Sequence, residues 1–292
     1  MALSPGHRLG QIIGDILEAA VTELLAEFAG KHDLYLDKKG IRSCRKGKKC
    51  SWTDGYHNKH DLDFVLERGG TDNKRGIPVA FVEAAWRSYT KHSRNKAQEI
   101  QGAVLPVAEY YANVGPFTGA ILAGVFTAGA IAQLESLGFN VLFLPAESVV
   151  VVFSEFGIDV AFDERTPDKL LHAKVKACLA LSQSKRAELS TRLLTAHKSD
   201  VDKFIASLEK TILRQVESIL ILPLHGNTVE VATVDQAIKF VSKYSQRKTE
   251  GPPLRYEIEV RYNNGNVIRA KLNDKESAIE FLQKHHPIPP SI

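Results

Sequence analysis

The chain has 292 residues, 44% hydrophobic and 25% charged, with a formal net charge of +4. These values are typical of a globular protein and exclude a disordered or fibrous chain. Three cysteines, Cys44, Cys50 and Cys178, are too few for a disulfide framework and indicate a reducing compartment. The N-terminus lacks signal-peptide anatomy and no apolar run resembles a membrane span. We therefore expect a cytoplasmic protein with no membrane partner.

Apolar periodicity predicts an α/β domain in the first half of the chain. Residues 8–29 are predicted as an amphipathic helix, because apolar side chains recur every four positions. The predicted strands after it cover 61–69, 77–86, 118–126 and 140–145, and the predicted helices cover 93–113, 130–138 and 146–157. The nearly uninterrupted apolar run 77–86 predicts a central strand. The alternation of strands and helices predicts a mixed sheet flanked by helices over residues 1–166.

The composition changes after residue 166. Residues 167–215 lack strand signals and predict a helical segment of two helices. Residues 225–244 resemble residues 264–285, and each copy predicts strand, Gly-Asn turn, strand and helix. We expect residues 216–292 to form a small α+β accessory region built from two ββα repeats. Leu220, Leu222, Ile258 and Val260 are predicted to share its buried sheet face.

Acidic residues lie within two of the apolar strands. Asp61 and Asp63 alternate onto one face of the first strand, and Glu83 lies within the next. A buried carboxylate is costly unless it is paired or binds a metal. If the two strands are neighbours, Asp63 and Glu83 converge and form an oxygen site suited to Mg²⁺.

This arrangement resembles the PD-(D/E)XK nuclease superfamily, and type II restriction endonucleases in particular, over about residues 8–160. The features that carry the resemblance are the acidic N-terminal helix, the aspartate and glutamate on successive strands, and the following helix with Lys and Gln. The resemblance implies that Asp63 and Glu83 are catalytic metal ligands, with Asp61 as the fallback for Asp63. Glu18, or else Glu23, is the additional helix acid that some members use.

The chain departs from the superfamily motif at the catalytic lysine. The motif places a lysine two residues after its second acid, where this chain has Ala85. The lysine is known to migrate to the next helix in this superfamily, so Lys96 is the first candidate and Lys91 the second. The resemblance implies a Mg²⁺-dependent endodeoxyribonuclease, in which the metal activates water and the lysine orients or deprotonates it.

Two basic segments indicate a nucleic-acid partner. Residues 38–49 contain seven Lys or Arg and residues 87–96 contain four, and neither segment contains an acid. We expect lysines of the first segment to bind phosphates of double-stranded DNA, and Arg42 or Arg45 to read a guanine edge. The full set of predicted DNA-binding residues is Arg42, Arg45, Lys46, Lys48, Lys49, His57, Arg87, Arg94 and Gln98.

Two alternatives remain open from the sequence. Cys44, Cys50, His57 and His60 lie within 17 residues and form a possible zinc site, although the usual closely paired cysteines are missing. The second alternative is a DNA-binding protein that does not cleave, which Ala85 favours. For the cleaving enzyme, two-strand cutting predicts a homodimer with two-fold symmetry. The resemblance to restriction enzymes also implies a cognate DNA methyltransferase in the same system.

Overall fold

The structure is a computed structural model that describes residues 4–89, 93–224, 226–244 and 255–286. The chain divides into two compact units. The first comprises residues 1–107 and 117–208, and the second comprises residues 108–116 and 209–292. Within the described residues, no helix is both long enough and apolar enough to cross a bilayer.

The first unit is α/β, as the sequence predicts. Its helices and strands, in chain order, are α1 (Pro5–Lys31), β1 (Leu34–Lys38), β2 (Cys50–Thr53), β3 (Lys59–Leu62), β4 (Phe64–Arg68), β5 (Ile77–Arg87), α2 (Ser93–Tyr110), β6 (Phe117–Gly124), α3 (Ala128–Ser136), β7 (Asn140–Pro145), α4 (Ala146–Glu155), α5 (Asp168–Leu179), α6 (Gln183–Thr195) and α7 (Lys198–Ile212). The last residues of α2 and of α7 belong to the second unit.

A mixed five-stranded sheet forms the centre of this unit. The strand order is β1-β4-β5-β6-β7, and β1, β4 and β5 pair antiparallel while β5, β6 and β7 pair parallel. The central position of β5 agrees with its apolar sequence, because Val79 through Val82 are all buried. Helix α1 packs against β5 on one side and against α5 and α6 on the other.

The predicted strand 61–69 is interrupted. β3 ends at Leu62, Asp63 forms a bend, and β4 starts at Phe64. β3 pairs with β2 in a separate two-stranded ribbon, whereas β4 pairs with β1 and β5 in the central sheet. The chain therefore leaves one sheet and enters another at Asp63.

Segment 167–215 contains three helices in place of the predicted two. The third helix begins at Lys198. The sequence of residues 182–197 contains no strong helix-breaking signal from which this start could have been predicted. α5 and α6 pack on α1 and belong to the first unit. The structure thus places no boundary between compact units at residue 166.

The second unit contains the repeated ββα pattern. Its elements are β8 (Val216–Pro223), β9 (Val229–Val231), α8 (Val234–Lys243), β10 (Tyr256–Tyr262), β11 (Val267–Leu272) and α9 (Lys275–Gln283). The four strands form an antiparallel sheet in the order β11-β10-β8-β9, so the first strand of each repeat pairs with that of the other. Side chains from α8 and α9 complete the apolar core on one sheet face.

One prediction about that face is wrong in part. Ile258 and Val260 are buried as expected, but they face Ile221 and Ile219 across the β8–β10 pairing. Leu220 and Leu222 lie on the opposite face of β8, where they pair with Glu259 and Glu257. A strand's side chains alternate, so the choice of face depends on a pairing register that the sequence does not specify.

Candidate active site

Asp63 and Glu83 meet where β4 and β5 begin to separate. The two strands are in register from Phe64 opposite Val82, so Asp63 lies opposite Glu83. The Asp63 N–H donates to Glu83 Oε1 at 3.0 Å, and the Ala84 N–H donates to Asp63 Oδ2 at 3.0 Å. Each carboxylate thus accepts a backbone hydrogen bond from the other strand. These reciprocal bonds bring the two acids together, as the sequence predicts.

The acidic pair is electrostatically unfavourable in the absence of a cation. Glu83 is 5% exposed, and burial together with the nearby Asp63 carboxylate raises the pKa of Glu83 to about 8. Lys96 acts in the opposite direction and lowers it, but does not cancel the increase. A buried acid whose main neighbour is another acid is a common feature of functional sites.

Glu18 on α1 belongs to the same acidic environment. Burial raises the pKa of Glu18, and the Asp63 carboxylate raises it further. The sequence named Glu18 as the additional helix acid, and the structure brings it into electrostatic range of Asp63. Glu23, the other candidate on this helix, accepts a 3.5 Å hydrogen bond from Thr191 of α6 instead.

Lys96 lies at the start of α2 and its side chain is 20% exposed. Its Nζ is 3.5 Å from Glu99, and the same Glu99 oxygen is 3.5 Å from Arg87 of β5. The positive charge of Lys96 lowers the pKa of Glu83. Ala85, at the motif position of the lysine, is buried.

A cavity of about 700 Å³ extends from this region between α1, the end of β5 and the start of α2. Glu18, Lys96, Arg87 and Glu99 line it, together with the aromatic side chains of Trp86 and Tyr89. Its volume lies within the range of ordinary ligand pockets. Glu18 and Lys96 are therefore accessible from the cavity, whereas Asp63 and Glu83 are not among its lining residues.

The donor set fits Mg²⁺ better than a metal enclosed by protein ligands. Among the described residues, no group of three or more His, Cys, Asp or Glu side chains is arranged to hold a metal. Mg²⁺ commonly binds through one or two carboxylates and completes its octahedron with water and substrate phosphate. Asp63 and Glu83 supply that number of carboxylates.

Asp61 is not part of this pair. It lies on β3, opposite Ser51 of β2, and accepts hydrogen bonds from Lys49 and Ser51 at 2.5 Å. The prediction that Asp61 shares a strand face with Asp63 is wrong because the strand breaks between them. Asp61, the predicted fallback for Asp63, therefore does not lie beside Glu83 as Asp63 does.

The predicted guanine readers Arg42 and Arg45 are buried, and this prediction is corrected. Arg42 binds Glu67 and Asp37 as an ion pair and donates to the backbone oxygens of Thr71 and Lys74. Arg45 binds Asp37 and the backbone oxygen of Gly40. Their guanidinium groups already bind partners within the protein, so they are not available to contact a base edge.

The zinc alternative is also contradicted. Burial raises the pKa of the Cys50 thiol, which opposes the thiolate form that zinc requires. The His60 ring is 3.0 Å from the Asp54 carboxylate, on the ribbon. Cys44, Cys50, His57 and His60 belong to the part of the chain that the structure describes, in which no such metal group occurs.

The other predicted DNA-binding side chains lie on the surface. Lys46, Lys48, Lys49 and His57 are exposed in the loop and ribbon, Arg94 and Gln98 are exposed on α2, and Arg87 is partly exposed. Lys91, the second lysine candidate, lies outside the described residues. Sequence reasoning missed the buried Arg42–Glu67 pair, whose only sequence signal is an acid within an apolar strand.

Comparisons with known proteins add little to this geometry. No protein family and no curated protein matches the chain. Among solved structures, it is similar to one described as "Protein of Unknown Function AF1548", with 15% identity and a TM-score of 0.29. The similarity covers 68% of this chain and 97% of that one. A TM-score this low supports no conclusion about fold or function.

Proposed function

We propose that the protein is a Mg²⁺-dependent endodeoxyribonuclease of the PD-(D/E)XK type, resembling type II restriction endonucleases. The observation that carries the proposal is the Asp63–Glu83 pair, two carboxylates held together by reciprocal backbone bonds, with no arginine paired to either one among the residues that the structure describes. Support also comes from the element order, since an acidic helix precedes the strands and a lysine-bearing helix follows them.

In this proposal each polar residue has a defined role. Asp63 and Glu83 would hold Mg²⁺, which when bound activates water and offsets charge on the phosphate in the transition state. Glu18 would hydrogen-bond a water of the metal's coordination shell from α1. Lys96 would orient the attacking water or take its proton. It would thus replace the motif lysine, whose position is occupied by Ala85. Glu99 holds the Lys96 ammonium from one side.

A plasmid-nicking assay tests the function directly. Supercoiled plasmid is incubated with the wild-type protein in Mg²⁺ and in EDTA, and conversion to open-circular and linear DNA is measured. We expect cleavage only with Mg²⁺, and its loss in Asp63→Asn and in Glu83→Gln, because each removes a metal ligand. The matched control is Asp61→Asn, which leaves the acidic pair intact. Cleavage that survives in both site variants would reject the assignment.

The second candidate function is DNA binding without cleavage, and Ala85 favours it. A nuclease fold that has lost its lysine retains its basic surface but has no group to activate water. The same variants separate the two functions. If duplex DNA binds with a dissociation constant in the micromolar range or below while no nicking occurs in Mg²⁺ or Mn²⁺, this second function replaces the first.

A homodimer with two-fold symmetry completes the proposal. Cutting both strands of a duplex takes two active sites, and the sequence carries one Asp–Glu pair of this kind. Residues beyond 166 are expected to supply part of the interface. Light scattering at micromolar protein with cognate DNA gives the mass, and a persistent monomer would favour sequential nicking. A methyltransferase that modifies the same site is the expected genetic companion of a restriction enzyme.

A further inference from the structure

The tip of the β2–β3 ribbon presents a tyrosine to solvent. β2 and β3 pair with each other and form a two-stranded ribbon separate from the five-stranded sheet. Tyr56 lies between them and is 88% exposed. An exposed tyrosine forgoes the free energy that burial of its ring would contribute. The ring is therefore available for contact with a partner.

The backbone around Tyr56 is held by the single carboxylate of Asp54. Asp54 accepts hydrogen bonds from the N–H groups of Tyr56 at 2.8 Å and Asn58 at 2.9 Å. The side chains of Asn58 and His60 bind its other oxygen at 3.0 Å each. His60 and Asn58 hold the pKa of Asp54 well below its usual range. A tip that is ordered before binding loses less entropy on association.

The ribbon is anchored to the central sheet through Trp52, which pairs with His60 one step from the tip end of the ladder. Trp52 of β2 is 1% exposed and packs edge-on against Phe81 of β5, with ring centroids 6.3 Å apart. Arg75 lies over the other side of the indole and donates to the Ser51 oxygen at 2.8 Å. β3 then continues directly into Asp63, so the ribbon is fixed relative to the acidic pair.

The charges around the ribbon favour a polyanionic partner. Lys46, Lys48 and Lys59 are exposed, and Lys49 pairs with Asp61 at 2.5 Å. The acids in the stretch 46–62 are Asp54 and Asp61, and both already have partners. The outward charge is therefore positive. Among polyanions, duplex DNA has a major groove about 12 Å wide, which admits a two-stranded β-ribbon.

We propose that the β2–β3 ribbon enters the major groove of duplex DNA and that Tyr56 contacts base edges there. This inference rests on the proposed function for its substrate. Four residues of β3 at about 3.3 Å each extend roughly 13 Å from Asp63 to the start of the tip. That length corresponds to about four base pairs at 3.4 Å per step. Tyr56 thus contacts sequence beside the phosphate that is cleaved.

Metal-free DNA binding tests the inference separately from cleavage. The probe is a fluorescein-labelled 30-base-pair duplex selected from a randomised pool for the tightest binding to the wild-type protein in EDTA, and its anisotropy is measured in EDTA at several salt concentrations. Tyr56→Ala is expected to weaken binding at least about fivefold, the lower end of the cost of a lost base contact. The salt slope should not change, because no phosphate contact is lost. The matched control is Tyr110→Ala, since Tyr110 is also exposed (54%) but lies on α2.

Two further measurements make the outcome unambiguous. Tyr56→Trp should keep most of the affinity, because it retains a large aromatic ring. Methyl green, which occupies the major groove, should displace the wild-type protein more effectively than netropsin, which occupies the minor groove. Binding of Tyr56→Ala equal to wild type, or displacement mainly by netropsin, would overturn the proposal.

The cleavage assay distinguishes this inference from the proposed function. Nicking in Mg²⁺ with Tyr56→Ala binding like wild type leaves the nuclease intact and removes the ribbon from recognition. Binding that depends on Tyr56 but is not accompanied by nicking supports the role of the ribbon in recognition and rejects the nuclease function. A protein that neither binds nor nicks the duplex rejects both.

Discussion

Glu67 and Glu83 are buried acids on neighbouring strands of one sheet, and their surroundings differ completely. Glu67 on β4 is 0% exposed and receives two hydrogen bonds from Arg42 and one from the Gly76 N–H. Glu83 on β5 is 5% exposed, and its nearest charged partner is another acid, Asp63. The same sheet thus contains one compensated carboxylate and one uncompensated carboxylate.

The difference separates structural acids from candidate functional acids. Arg42 ties Glu67 to the loop that follows it, through the backbone oxygens of Thr71 and Lys74. Removing one partner of such a buried pair leaves a charge without compensation. Compensation of the Asp63–Glu83 pair is incomplete, because Lys96 lowers the pKa of Glu83 without cancelling its increase. Incomplete compensation is a property of a site that binds a cation from solution. The charges around a buried acid therefore indicate its role better than its degree of burial does.

The largest predicted contrast comes from making the same substitution at both positions. Glu67→Gln should destabilise the fold by about 3–5 kcal/mol, because Arg42 loses its main partner. Glu83→Gln should abolish nicking without loss of stability, because it removes an uncompensated acid. Urea unfolding in EDTA and plasmid nicking in Mg²⁺ measure the two effects. Equal destabilisation by both substitutions would mean that Glu83 is a structural acid as well.

The next effect concerns the cation beside the acidic pair. Lys96→Ala should slow cleavage by roughly 10²–10⁴-fold, the usual contribution of a positioned acid-base group. Lys91→Ala, the second candidate from the sequence, and Arg94→Ala on the exposed side of α2 should have small effects. Single-turnover nicking with excess enzyme gives the rate constants. Small, equal losses in all three variants would remove Lys96 from the mechanism.

A pH titration of stability tests the raised pKa of Glu83. The pKa of Glu83 is raised to about 8 in the folded protein, above its ordinary value of 4.5. The unfolded chain therefore loses this proton at lower pH than the folded protein, and stability falls as the pH rises from about 4.5 to 8. The slope reaches at most about 1.4 kcal/mol per pH unit.

The measurement is urea unfolding in metal-free buffer between pH 5 and pH 8. Glu83→Gln should remove the downward slope, whereas Asp61→Asn should keep it. Added Mg²⁺ should stabilise wild type most at the alkaline end, where both carboxylates are charged. A slope that is unchanged in Glu83→Gln would assign the titration to another group.

The smallest predicted effect concerns the basic segment 38–49, which also contains compensated and uncompensated charges. Arg42 and Arg45 are paired internally, whereas Lys46 and Lys48 are exposed and Lys49 pairs only at the surface. Replacing the three lysines with Gln should reduce the salt slope of DNA binding by about 0.9 per lost phosphate contact. Anisotropy titrations in EDTA give the slope, and an unchanged value would show that this loop does not contact DNA.

Much of the fold followed from the sequence because its signals are local. The apolar periodicity of α1, the apolar run of β5 and the repeated Gly-Asn turns each report structure within a few residues. The meeting of Asp63 with Glu83 was also predictable, since antiparallel neighbours joined by a short turn bring their ends together. These predictions required no long-range information.

The errors share a physical cause. Asp61 was grouped with Asp63 because alternation assumes an unbroken strand, whereas the chain passes from the β2–β3 ribbon into the central sheet at Asp63. Arg42 was predicted to reach DNA because its partner, Glu67, lies 25 residues away in sequence. Leu220 and Leu222 were placed on the wrong face because the pairing of β8 with β10 fixes that choice. Each error required knowledge of a partner distant in sequence.

The pairing of β8 with β10 has a consequence for how the second unit folds. The two ββα copies meet through their first strands, Ile219 opposite Val260 and Ile221 opposite Ile258. One copy alone would leave its inner strand edge unpaired and half of the apolar face uncovered. Neither copy therefore has a complete sheet by itself, and we expect the two to unfold together in one cooperative transition.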